Sequence, residues 1–344
     1  MKSYLLHGKQ DLRLEERPIP EVLPHQVLIR VRRVGICGSD VHYFWHGYIG
    51  SFVPKRPFAL GHEFSGEVVE VGREVQTLRP GQAVAVDPSM PCGTCSYCRG
   101  GRYNLCENMK FLGSASCDPH LDGAFGEYVP VPAVNCLPIP EALSYGEAAM
   151  LEPLSVAVHA VRRAGTVAGQ AVLITGAGTI GQLVLIVARA FGADKIVVSD
   201  IDAFSREFAL QRGADAVLDP REATMEKEAM DASAIGFDVV FEATGVPSAL
   251  SNALRLARRG GTVVQIGSLP ADVPIPANLI MAKELTVAGS FRSAHEFSMA
   301  LNLAAAKRID LRPLITATFP YAELPQAMDL AVLKQNTIKV QLEL

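Results

Sequence analysis

Along the chain the pattern of apolar and polar positions changes character near residue 153 and again near 290. Before 153 the apolar residues come as short β-branched segments. Val27-Leu28-Ile29-Arg30-Val31 and Gly66-Glu67-Val68-Val69-Glu70-Val71-Gly72 are examples. A two-residue alternation of this kind predicts half-buried strands. Pro18, Pro20, Pro24, Pro54, Pro57 and Pro80 punctuate them. The stretch 86–124 predicts long loops, which a compact domain keeps for function or ties down by something other than a core. From 153 onward, solid apolar runs at 171–175, 195–199, 216–218, 237–241 and 261–266 predict buried strands. Helical patterns at 182–191 and 205–212 fall between them. Strands separated by helices predict a parallel sheet covered on both faces. After 290 the pattern predicts a helix at 295–306, a strand at 314–319, a helix at 324–333 and a last strand at 339–344. The expected fold class is α/β: a doubly wound parallel-sheet domain over 153–289, and a mostly β domain over 1–152 completed by 290–344.

Composition narrows the reading. The chain has 344 residues, 49% hydrophobic and 20% charged, with a formal net charge of −4. That suits well-buried domains and supplies no overall field for nucleic acid or an anionic membrane. No run of about 18 apolar residues predicts a membrane span, and the first residues lack a signal-type apolar core. The expectation is a cytoplasmic protein that binds neither nucleic acid nor membrane. Seven cysteines are present, four of them within 92–106. Such crowding suits metal binding in a reducing compartment better than a disulfide framework.

Gly176-Ala177-Gly178-Thr179-Ile180-Gly181 follows an apolar strand and opens a helix, the context in which G-x-G-x-x-G binds a dinucleotide. Gly176 permits the turn, Gly178 lets the backbone approach a pyrophosphate, and Gly181 lets helix and strand pack closely. Asp200 ends the next strand, 19 residues after Gly181, where a carboxylate accepts hydrogen bonds from ribose hydroxyls. This predicts NAD, with NADP still possible. Arg206 lies nearby and reads as a solvated residue on a helix face. Cys92, Cys95, Cys98 and Cys106 form C-x2-C-x2-C-x7-C, able to close a tetrahedron around a structural Zn2+ in a lobe without a core of its own. Cys117 and Cys136 read as ordinary buried or partly exposed residues.

Two further motifs complete a set. Gly35-Ile36-Cys37-Gly38-Ser39-Asp40-Val41-His42 precedes Gly61-His62-Glu63. With the four-cysteine lobe and the glycine motif, in this order along the whole chain, the sequence resembles the medium-chain, zinc-dependent alcohol and polyol dehydrogenases. The resemblance implies a GroES-like catalytic domain beside a Rossmann domain. It implies a second, catalytic Zn2+ on Cys37 and His62. Glu152 occupies the place where alcohol-specific members carry another cysteine. Glu63 or Glu152 supplies the third ligand, directly or through water, and both remain open. The resemblance also implies that Ser39 takes the substrate proton and passes it through the nicotinamide ribose to His42. It implies a homo-tetramer or homo-dimer joined partly through the cofactor domain's sheet edge. Gly267, Ser290 and Phe291 are further cofactor candidates, with Ile180 in the glycine motif.

Substrate choice is read from shorter segments. Val41-His42-Tyr43 looks like the polyol branch. Pro88–Gly93, 109–115, 119–123, 289–292 and 339–342 narrow the resemblance to members acting on sugar acids. A carboxylated substrate calls for a cation in the pocket. Lys110 and Arg292 are the candidates, with Tyr43 and Phe111 beside them. Two alternatives stand: a dehydrogenase of neutral polyols such as sorbitol or xylitol, and a dehydrogenase-like binding protein without catalysis.

Overall fold

The computed structural model describes all 344 residues. The chain divides into two compact units, Pro153–Glu296 and a unit built from Met1–Glu152 with Phe297–Leu344. The return to the first unit comes later than the expected 290. Ser155 donates to Ser293 at 2.9 Å, while His159 and Arg162 pair with Glu296 at 3.2 and 2.7 Å. These contacts keep 290–296 on the helix Leu151–Arg163.

The inner unit is a six-stranded parallel sheet. Its order is Ala216–Leu218, Lys195–Ser199, Ala171–Thr175, Phe237–Glu242, Ala257–Gln265, Thr286–Gly289. The order reverses beside Ala171–Thr175, the first strand of the unit, so a crevice opens at that strand's carboxyl end. Val172, Leu173 and Ile174 are all fully buried. A strand covered on both faces reads as a continuous apolar run rather than an alternation. The helices Thr179–Ala190 and Ala203–Gln211 start three and two residues before their predicted positions. Among the helices that escaped the sequence reading, two show why. Met225–Ser233 buries only Met225 and Ala229, so its apolar stripe is too thin to register. Pro247–Leu256 opens on a proline, which the first helical turn accepts because its N–H would have no partner there.

The outer unit is built on a seven-stranded sheet. Its order is Ile315–Pro320, Lys339–Glu343, Gln26–Gly35, Glu63–Val71, Ala83–Val86, Cys136–Pro138, and Tyr128–Pro132 also pairs with Gln26–Gly35. Val27, Ile29, Phe58, Phe64, Val84, Phe125 and Val131 form its core, each no more than 1% exposed. The last strand lies antiparallel to Gln26–Gly35, with Gln341 opposite Gly35, and parallel to Ile315–Pro320. The expected loops of 86–124 carry only short elements, among them the two-residue pair Ser89–Met90 and Lys110–Phe111. No helix of the chain is long and apolar enough to cross a membrane.

Candidate active site and metal centres

Cys37 caps the helix Gly38–His46. Its backbone N–H donates to Asp40 at 2.9 Å, and Asp40 also accepts from the Gly61 N–H at 3.2 Å. One fully buried carboxylate thus ties together the two segments that carry Cys37 and His62. Asp40 also stands 3.6 Å from Nδ1 of His62. A carboxylate on that side of the ring leaves Nε2 for other partners, and a metal-binding imidazole is usually oriented so. Nε2 lies 3.4 Å from the Ser39 hydroxyl. Burial works against protonation of His62, but Asp40 and Cys37 outweigh it and hold its pKa well above the usual value. A site that gathers this much negative charge around an imidazole is built for a cation. Ligand atoms of Cys37, His62 and Glu63 all lie within 4.8 Å of one another.

Glu63 is already engaged. Lys339 donates to both its carboxylate oxygens, at 2.7 and 2.9 Å, and to the main-chain oxygen of Ile36 at 3.1 Å. Gly35 makes room for the pair, since a Cβ there would lie 2.3 Å from Glu63 Oε2. Neither Asp40 nor Lys339 was assigned a role from the sequence. Asp40 sits inside the quoted motif, but Lys339 is 302 positions from Cys37 and only the sheet order brings it near. Glu152 stands outside the three-residue group. Burial pushes its carboxyl up to about 7; His62 opposes that shift and Glu63 and Asp87 add to it.

The expected substrate residues separate. Phe111 packs edge-on to His62, with ring centroids 5.5 Å apart. Lys110 precedes it in a strand, so its side chain leaves from the opposite face. It is exposed. Tyr43 belongs to the core at 2% exposure, and its hydroxyl accepts from the Ala115 N–H at 3.1 Å. It braces the wall rather than presenting a free hydroxyl. Arg292, in the inner unit, stacks over Phe291 at 4.8 Å from a backbone with φ of 55°. Ser39 and His42 share one face of the helix Gly38–His46, three residues apart, and His42 is exposed.

The four lobe cysteines come together, with ligand atoms within 4.8 Å of one another. Short turns place them: Gly93 and Gly101 take φ of 74° and 73°. The Thr94 hydroxyl and nearby amides push the Cys92 thiol down to about 5, while desolvation and its sulfur neighbours push Cys98 up to about 12. Four thiols this close cannot all ionise without a cation among them, and a tetrahedral dication fits the donor set.

In the inner unit the glycines divide their work as expected. Gly176 has φ of 93°, and a Cβ on Gly181 would lie 1.7 Å from the Gly176 oxygen. A Cβ on Gly178 would meet nothing within 4 Å. Gly178 caps Thr179–Ala190 without a side-chain partner, so the amides around Ile180 face open space suited to a pyrophosphate. Asp200 accepts from the Ala177 and Asp202 amides at 2.6 and 2.8 Å, the first of which ties it to the glycine turn. The Ser290 hydroxyl is buried without a protein partner, as a cofactor-facing group would be. Gly267 has a packing reason as well, because a Cβ there would come within 2.1 Å of Gly245 N. Arg206 is not the solvated residue expected: it is 18% exposed and paired with Asp219.

A parallel sheet in dinucleotide-binding order, a β-rich unit with a Cys–His–Glu group, and a four-cysteine lobe define a zinc-dependent, NAD(P)-linked dehydrogenase. Comparison with known proteins agrees. Residues 23–141 match the alcohol dehydrogenase GroES-like domain, and residues 179–306 match the zinc-binding dehydrogenase family. The chain is 40% identical over 333 residues to a probable D-xylulose reductase A of Aspergillus clavatus, covering 94% of this chain and 92% of that one. It superposes on L-idonate 5-dehydrogenase of Escherichia coli with a TM-score of 0.94 and 36% identity, over 100% of this chain and 98% of the other. A zinc-binding dehydrogenase of Sinorhizobium meliloti bound to NADP gives 0.91 and 35%, over 100% and 99%. The chain belongs to the zinc-dependent medium-chain dehydrogenases, in the group that acts on polyols and related sugar derivatives. It is an enzyme, and the binding-protein alternative is set aside.

Proposed function

We propose that the chain is an L-idonate 5-dehydrogenase, interconverting L-idonate and 5-keto-D-gluconate with NAD(P). The observation that carries this reading is where the sugar-acid-type segments lie. Phe111 packs on His62, and Gly113 and Gly123 both press on Gly61, where a Cβ would lie 2.7 and 2.2 Å from the Gly61 oxygen. The segments 109–115 and 119–123 therefore wall the Cys37–His62 group itself. A zinc ion held there would supply the Lewis acidity that makes a secondary hydroxyl acidic, and a bound NAD(P) would supply the hydride acceptor. Cys37, His62 and Glu63 or Glu152 hold the metal, with Asp40 fixing the ring and Lys339 fixing Glu63. Ser39 accepts the alcohol proton, and His42, on the same helix face and open to water, delivers it to solvent. Gly176, Gly178, Ile180, Gly181 and Asp200 hold the adenosine half, with Ser290 and Phe291 at the other end.

A second reading, a neutral polyol such as xylitol or sorbitol, is favoured by one fact. Lys339, buried beside the Cys37–His62 group, is spent on Glu63 and is not free to meet a substrate carboxylate. Steady-state kcat/KM on L-idonate, xylitol and sorbitol, with NAD and with NADP, separates the two. A preference for L-idonate supports the first reading, and a preference of tenfold or more for xylitol or sorbitol replaces it. We also read the protein as a cytoplasmic homo-dimer or homo-tetramer. The edge strand Thr286–Gly289 supports this, since it leaves Val287 43% exposed, and light scattering tests it.

A further inference from the structure

The carboxyl end of the strand Lys195–Ser199 carries more charge than the cofactor reading uses. Arg206 donates from Nη1 to the main-chain oxygen of Asp200 at 2.7 Å and pairs with Asp219 at 3.0 Å. Arg221 donates from Nη2 to the main-chain oxygen of Ile201 at 2.8 Å. It also meets Asp219 as a fork, Nε to one carboxylate oxygen at 2.9 Å and Nη2 to the other at 2.6 Å. Two guanidiniums thus bracket the main chain of residues 200 and 201, and one carboxylate, 12% exposed, holds both.

Dinucleotide folds read the ribose 2′ position at this strand end. A carboxylate there accepts a 2′-hydroxyl, and an arginine accommodates a 2′-phosphate. This chain places both kinds of group there, so something has to choose between them. Building on the placement of Asp200 at the ribose, we propose that Asp219 is a specificity-determining positioning residue. It keeps Arg206 and Arg221 turned toward itself, leaves Asp200 to meet the ribose, and so sets NAD above NADP. Arg221 has its fork filled by the carboxylate and Arg206 gives it one nitrogen, so the pair offers a phosphate fewer donors and less net positive charge than two unpaired arginines would. Asp219 also accepts the Arg221 N–H at 3.0 Å, closing the turn after Ala216–Leu218. Asn or Ser retains an acceptor for that bond while removing the charge.

The probes are ADP and 2′,5′-ADP, with binding measured by calorimetry on the purified zinc enzyme, so the readout is independent of turnover. Asp219→Asn should bind 2′,5′-ADP about tenfold more tightly, the effect of one freed charge-assisted hydrogen bond, with ADP changed less than about twofold. The gain should shrink at high salt, and adding Arg206→Gln and Arg221→Gln should abolish it. Asp219→Ser serves as the second variant if the Asn form melts early. A folded Asp219 variant with the wild-type ratio of the two affinities overturns the proposal. So does a gain that survives loss of both arginines. The underlying placement is tested separately: Asp200→Ala should weaken ADP, and an unchanged ADP affinity would remove Asp200 from the ribose whatever Asp219 does.

Discussion

Lys339→Met should unfold the outer unit well before wild type, for a reason that can be put in numbers. Lys339 and Glu63 have side chains only 3% and 1% exposed. Burial lowers the tendency of Lys339 to hold its proton, but Glu63 and Cys37 outweigh it and raise its pKa, so the pair is ionic. Methionine fills the space and leaves the Glu63 carboxylate buried and unpaired. Breaking a buried pair from one side costs about 3–5 kcal/mol. For a unit of about 200 residues, each kcal/mol moves the melting point by about 2–4 °C. The drop should therefore be roughly 10 °C. The single tryptophan, Trp45, lies in this unit, so its fluorescence follows the unit's melting without interference from the inner one. Zinc should restore part of the loss, because a carboxylate freed from Lys339 still has a cation within reach. Glu63→Gln combined with Lys339→Met should recover most of it, since neither partner is then charged. A Lys339→Met protein that melts within about 2 °C of wild type, with and without zinc, would refute the reasoning.

Cys98→Ser or a strong chelator should cut solubility and lower the melting point of the outer unit, whereas His62→Ala should stay folded and lose activity; equal melting of wild type and Cys98→Ser would remove the structural role of the lobe metal. The two glycines should part company: Gly181→Ala should lower the melting point through its clash with the Gly176 oxygen, while Gly178→Ala should keep it and weaken ADP binding roughly tenfold, measured by calorimetry. Glu296 is buried, which favours its neutral form, but hydrogen bonds from His159 and the Ala294 amide, with Arg162 beside it, leave its pKa lowered. Its contribution is therefore complete above the unfolded carboxyl value of about 4.3 and is lost as pH falls through the lower folded value. Glu296→Gln should flatten the fall in melting temperature between about pH 5 and 3, and an unchanged slope would count against the pairing.

Much of the inner unit was legible because each layer of evidence pointed the same way. Val172, Leu173 and Ile174 are fully buried and read as a solid apolar run, and of the glycines that follow Gly176 is needed for its φ and Gly181 for its close approach to the Gly176 oxygen. Thr286–Gly289 was invisible for the opposite reason: an edge strand with exposed side chains has no apolar signature. In the outer unit, cysteine spacing alone exposed the lobe, since a metal demands its ligands at short range. Asp40 and Lys339 were not readable as partners. Asp40 meets Gly61 and His62, and Lys339 meets Glu63, only when distant segments become neighbours, and no local pattern encodes that. For Lys110, closeness in sequence to Phe111 says little about closeness in space. In a strand, the adjacent residue is the one that points the other way.

The position of the strand Lys339–Glu343 has a consequence for how the protein is made. The inner unit is one continuous stretch, complete once residue 296 has left the ribosome. The outer unit begins first and finishes last. Its sheet lacks an internal strand, and its buried Glu63 lacks a counterion, until Lys339–Glu343 emerges. The nascent amino-terminal segment must therefore wait, with an open slot between Gln26–Gly35 and where Ile315–Pro320 will lie, while the cofactor unit folds downstream of it. The metal-binding group gains its cationic support only once Lys339 is made, so a chain that stops before it carries every ligand yet has an unfinished site.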